Sequence, residues 1–179
     1  MTGYGCGPQT KREYDTLKEL RPFVPKSPAA RQKKIEDKSD IKVLTALLAD
    51  EDPGVVMRAA AVLGESGDAR AAPPLIDMLE HKDPSLRFVV SKALIHLGPI
   101  AVPALIDILN QTNPTVISAT VEILAKIGDD RAVEPLSGLL KYHRTDGIGL
   151  AIISALGVLG EEEVVPALIE MLQIRDSQV

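Results

Sequence analysis

Catalysis needs side chains that converge on one reacting atom, and this chain of 179 residues supplies few candidates. Its three histidines, His81, His96 and His143, fall in separate segments. Its single cysteine, Cys6, can neither close an internal disulfide nor build a thiolate-rich zinc set, which points to a reducing, cytoplasmic setting. No His-Glu-x-x-His, Gly-x-Ser-x-Gly or phosphate-loop pattern occurs. Asp77 and Asp107 stand 30 residues apart as solvated charges, and the triplet Glu161 to Glu163 suits the positive end of a helix. The expectation is therefore no catalytic residue, no metal ligand and no cofactor: a chain that binds and is not an enzyme.

What it can bind is narrowed by composition. Apolar residues make up 45% of the chain and aromatic ones only 3%, with no Trp, so a sugar cleft or a base-stacking platform is poorly supplied. Charge is uneven. Residues 1 to 42 hold 10 Lys and Arg against 6 Asp and Glu, whereas residues 43 to 179 hold 10 against 19. A surface carrying −9 argues against nucleic acid. Residues 1–40, rich in Gly, Pro and Lys, read as a basic arm in which Tyr14, Leu17 and Leu20 share one face of a short helix. That helix is expected to dock on a partner or on the repeats that follow. The longest apolar run, residues 147 to 160, is shorter than the ~18 residues that would cross a bilayer, so no membrane insertion is expected.

The elements that position these residues follow from a repeat. Asp52-Pro53, Asp83-Pro84 and Asn113-Pro114 recur at steps of 31 and 30 residues, and Gly67, Gly98 and Gly128 each lie 14 residues after the proline. A fourth unit fits with Asp146 in the proline position and Gly160 at its end. Asp or Asn caps the following helix, proline at its first position has no N–H to leave unpaired, and glycine permits the turn that ends it. A second apolar stretch follows each glycine: APPLIDML, VPALIDIL, VEPLSGLL and VVPALIEML. Two helices in each of four units, plus a terminal helix, give nine between about residues 41 and 174, with no strand. Leu44, Leu48, Leu63, Leu75, Leu79, Leu94, Leu105, Leu109, Leu124, Leu136, Leu140, Leu156 and Leu168 are expected in the core.

The segments DPGVVMRAAAVLGESGDARAAPPLIDML, DPSLRFVVSKALIHLGPIAVPALIDIL and NPTVISATVEILAKIGDDRAVEPLSGLL resemble short HEAT repeats of the phycobilisome-lyase type. The resemblance implies an all-α, right-handed α-solenoid of about four helical pairs plus a terminal helix over residues 41–179, with the first helix of each pair on a concave face. The family's arginine near the start of each first helix is present only as Arg87; Val56, Ile117 and Gly149 take its place elsewhere. The iron-binding His-Glu dyads of the related deoxyhypusine hydroxylases are missing.

Counting four, five, eight and twelve residues beyond each proline slot lists the outward positions. They include Met57, Arg58, Glu65, Phe88, Val89, Lys92, His96, Glu122, Lys126, Leu150 and Val158, an apolar strip rimmed by cations. A phase shifted by one residue would place some of them in the core instead. The function expected is a non-catalytic protein-binding scaffold that presents this face to a protein partner, as a small subunit of a larger complex. The alternative is an accessory subunit of a lyase or maturation enzyme, similar to the bilin lyases. The final helix, with Val164, Leu168, Met171, Leu172 and Ile174, is a candidate contact with a second copy or a partner.

Overall fold

The computed structural model describes residues 38–110, 113–143 and 146–160, and among them there are eight α-helices and no strand. They are α1 (Lys38–Leu47), α2 (Pro53–Glu65), α3 (Ala72–Asp77), α4 (Pro84–Leu97), α5 (Val102–Asp107), α6 (Pro114–Ile127), α7 (Val133–Leu140) and α8 (Gly147–Leu159). Short 3₁₀ turns lead into α3 and α7 at Ala69–Ala71 and Asp130–Ala132, and others close α3 and α5 at Met78–Glu80 and Ile108–Asn110. The all-α expectation and the helix-pair repeat hold. The ninth expected helix, with Leu168, and the arm residues Tyr14, Leu17 and Leu20 lie outside the described residues.

The repeated punctuation does what its chemistry dictates. Asp52 accepts from Gly54 N–H at 2.8 Å, Asp83 from Ser85 N–H at 2.8 Å and Asn113 from Thr115 N–H at 3.1 Å, each saturating a free donor at the start of α2, α4 or α6. Gly128 ends α6 in the left-handed conformation, with its N–H on Leu124 O. Gly98 ends α4 at φ 62 and ψ −139, a combination open only to glycine. One expectation needs correcting. Asp146, counted in the proline position, is itself the cap of α8, accepting from Gly149 N–H at 2.9 Å, so Gly147 is the first helical residue. With 13 residues against 14 in α4 and α6, α8 starts one residue later, while Leu150, Ile152 and Val158 keep the register counted from Asp146.

The chain forms two compact units, Met1–Ile100 and Ala101–Val179. In the first, α2 packs along α4, with α1 against α2 and α3 against α4. Leu63, Leu75, Leu79 and Leu94 are fully buried there, with Leu44 and Leu48 nearly so. Each such leucine contributes about 2 kcal/mol through the apolar area it removes from water. The α2–α4 seam is close. A Cβ on Gly64 would sit 2.6 Å from Ala93 Cα and 2.7 Å from Ala93 O, so only glycine admits this approach. Arg87, the arginine present in just one repeat, braces the turn before its own helix by donating from Nη1 to His81 O (2.7 Å) and Lys82 O (3.1 Å).

In the second unit α8 packs on α6 and α7, and Leu105, Leu109, Leu124, Leu136, Leu140 and Leu156 are buried. Thr120 occupies a fully buried slot on α6, and its hydroxyl finds no hydrogen-bond partner among the described residues. The equivalent slot in the other repeats holds Ala59, Val90 or Ile152, all apolar and fully buried.

Candidate protein-interaction face

Helices α2 and α4 expose the same register positions side by side. On α2, Arg58, Ala61 and Glu65 are exposed and Met57 is half-buried; on α4, Phe88, Lys92 and His96 are exposed and Val89 is half-buried. Phe88 leaves 63% of its surface exposed, a large apolar area that no described residue covers. Lys92 Nζ stands 5.7 Å from the centre of its ring, within cation–π range one helical turn on. Neither Arg58 nor Lys92 forms an ion pair with a carboxylate among the described residues. The nearby cap, Asp52, has Oδ1 engaged by Gly54 N–H.

The second unit carries the remaining outward residues. Glu122 and Lys126 are exposed on α6, and Leu150 and Val158 on α8 expose 69% and 68% of their surfaces. Seven of the eleven expected contact residues thus share one face of the first unit and four lie on the second. All eleven are exposed or half-buried; none belongs to the core.

The displaced titrations lie away from this face, in the loops. Asp68 caps the turn before α3 by accepting from Arg70 N–H at 2.9 Å, and Arg70 also donates to both its carboxylate oxygens through the guanidinium. The side-chain bond from Arg70 is the main reason that the Asp68 pKa falls to about 2. Asp129 and Arg131 repeat the arrangement before α7, with Arg131 Nη2 donating at 2.7 Å, and the Asp129 pKa is likewise lowered chiefly by that bond. Asp146 is held below the usual carboxylate range by His143, whose Nδ1 lies 2.7 Å from Oδ2, and by the Gly149 N–H. The clamps went unforeseen, although their signal, Gly-Asp-x-Arg at Gly67 and again at Gly128, is plain in the chain.

Also unforeseen is an open groove of about 570 Å³ in the second unit, floored by Ile106, Leu109 and Leu139 and edged by Tyr142, which is 84% exposed. Among the described residues no cluster of three or more His, Cys, Asp or Glu stands close enough to hold a metal ion. No single helix there is long and apolar enough to cross a membrane.

The chain as a whole is similar to known proteins. A family model described as HEAT repeats matches residues 29–95 and 102–179. The phycocyanobilin lyase subunit beta of Nostoc sp. is 28% identical over 109 residues, or 61% of this chain, and that of Pseudanabaena tenuis is 32% identical over 89 residues, or 50%. The chain spans 54% of the first relative and 32% of the second. Among solved structures, the complex of CpcE and CpcF of phycocyanin lyase from Nostoc sp. contains a chain with a TM-score of 0.46 and 23% identity, covering 91% of this chain and 70% of that one. An engineered protein matches with a TM-score of 0.47 and 19% identity, over 90% of this chain and 79% of its own.

These relatives correct one expectation. A sparse inventory of acid–base groups led to a chain that is not an enzyme, yet both curated relatives are named as subunits of a lyase.

Proposed function

The chain belongs to the HEAT repeat family, and from that premise we propose that it is a subunit of a bilin-lyase-type enzyme complex, using the outward face of α2 and α4 to hold a companion protein. The observation that carries this reading is the likeness to two phycocyanobilin lyase beta subunits. The exposed Phe88, with Met57 and Val89 beside it, supports the choice of surface, because aromatic anchors at the centre of a contact supply most of its energy. The phycocyanobilin of the relatives' name is the implied substrate class, and the complex rather than this chain alone is the unit that acts on it.

The test is covalent attachment of phycocyanobilin to an acceptor protein, read by in-gel fluorescence, with the companion lyase subunit present throughout. Adding this chain should raise the attachment rate. Phe88→Asp should remove that gain while leaving the melting temperature unchanged, since Phe88 does not support the stack. Equal attachment with and without the chain overturns the lyase reading. The repeat fold itself then supports the second reading, a protein-binding scaffold working outside any lyase.

A further inference from the structure

The face on α2 and α4 differs in charge from the chain that carries it. The protein is acidic overall, at −5, yet the middle of this face holds two exposed cations, Arg58 and Lys92, while the one carboxylate among its outward residues, Glu65, sits at the C-terminal end of α2. Neither cation has an ion-pair partner among the described residues. Between them the surface is apolar: Phe88 projects, Met57 and Val89 are half-buried, and Ala61 at the Lys92 level of α2 leaves room for close approach. Two helices packed side by side present a furrow parallel to their axes, into which a third helix fits by ridge-into-groove packing. Cations flanking an apolar furrow complement carboxylates flanking an apolar stripe.

We propose that this face takes an acidic amphipathic helix of a partner protein, its apolar stripe on Phe88, Met57 and Val89 and its carboxylates toward Arg58 and Lys92. The proposal rests on the reading of this face as the contact with a companion protein, and adds the chemistry of the segment that is bound. The stripe supplies affinity and the carboxylates supply orientation and choice of partner. A basic helix meets two like charges and is rejected.

Three fluorescently labelled helical peptides test it by anisotropy, all with the same leucine stripe and with Glu, Gln or Lys at the flanking positions. The Glu peptide should bind about tenfold tighter than the Gln peptide at low salt, with the advantage shrinking as salt is raised, and the Lys peptide should bind weakest. The double variant Arg58→Glu, Lys92→Glu changes only exposed side chains; with an unchanged circular dichroism melt, it should reverse the order of the Glu and Lys peptides. Equal binding of the Glu and Gln peptides, an unreversed order in the double variant, or no binding by any peptide overturns the proposal. If Glu and Gln peptides bind equally but Phe88→Asp abolishes both, the acid preference fails and the face keeps its role. Binding that survives Phe88→Asp overturns both.

Discussion

The two units share one set of local signals and use their outward faces differently. In the first, α2 and α4 start from Asp-Pro caps, α2 ending at Ser66 just before the positive-φ Gly67 and α4 at Gly98; in the second, α6 and α8 start from Asn113 and Asp146 and end at Gly128 and Gly160. Caps, turns and buried leucines are interchangeable because each repeat must saturate the same helix ends and fill the same interior. The outward positions carry no such duty. The first unit spends them on an aromatic ring and two cations that have no carboxylate partner among the described residues, whereas in the second Glu122 and Lys126 on α6 stand with Leu150, Ser154, Gly157 and Val158 on α8, a helix whose exposed face carries no charge. Repeat architecture thus separates what makes the fold from what makes the contact.

The sharpest way to break this equivalence is at two helical glycines. Gly64 lies where α2 meets Ala93 of α4, and Gly64→Ala should destabilise the protein by about 1–3 kcal/mol, because the added methyl meets backbone that cannot move aside. Gly138 in α7 has nothing within 4 Å of where its Cβ would lie, so Gly138→Ala should stabilise by about 0.5–1 kcal/mol through helix propensity alone. Chemical denaturation of both variants checks the pair. Losses of similar size would show that Gly138 also marks a close approach.

A smaller effect, of opposite sign to most core substitutions, is expected at Thr120. The same slot in the first unit holds Ala59 and Val90, whereas Thr120 brings into a fully buried position a hydroxyl with no partner among the described residues. Valine has nearly the same shape without the polar atom. Thr120→Val should therefore stabilise by about 1 kcal/mol, read as a rise in melting temperature. A fall would mean that the hydroxyl is satisfied in solution and that this repeat uses it.

How far the chain could be read without coordinates divides along the same line. The Asp-Pro and glycine spacing located every described helix after α1, and counting from the proline slots placed Phe88, Lys92, Leu150 and Val158 on the outward side. Both signals are local and repeat. Only the start of α8 differs from that count: Asp146 caps the helix and Gly147 opens it, where proline marks the first position of the others. Gly64 gave no sign of its role, since a glycine in a helix does not announce what packs against it. The groove under Tyr142 was hidden for a similar reason: in α7 Ser137 and Gly138 stand where the preceding repeats have Ile76-Asp77 and Ile106-Asp107, and the space this leaves is visible only in three dimensions. The likeness to lyase subunits extends over long stretches of sequence, which no count of acids and bases conveys.

The smallest expected effect tests whether the loop clamps are as interchangeable as the caps. Asp68 and Arg70 in the first unit, and Asp129 and Arg131 in the second, form the same Asp-x-Arg arrangement, and both carboxylates have pKa values lowered by the arginine beside them. A carboxylate whose folded pKa lies below its unfolded value contributes stability that is fully present above the unfolded pKa. That contribution disappears as the pH falls through the folded one. For Asp68 the window runs from the ordinary value of 3.8 down to about 2. Melting temperature should accordingly decline across this range, and Asp68→Asn should flatten the decline while lowering stability modestly at neutral pH. Both arginines are exposed, so the contribution is screened by solvent and should shrink further in high salt. Asp129→Asn should behave alike if the two clamps are equivalent. A titration altered by Asp68→Asn but not by Asp129→Asn would instead show that only the first unit depends on its clamp, and that the shared motif, unlike the shared caps, has been put to different use.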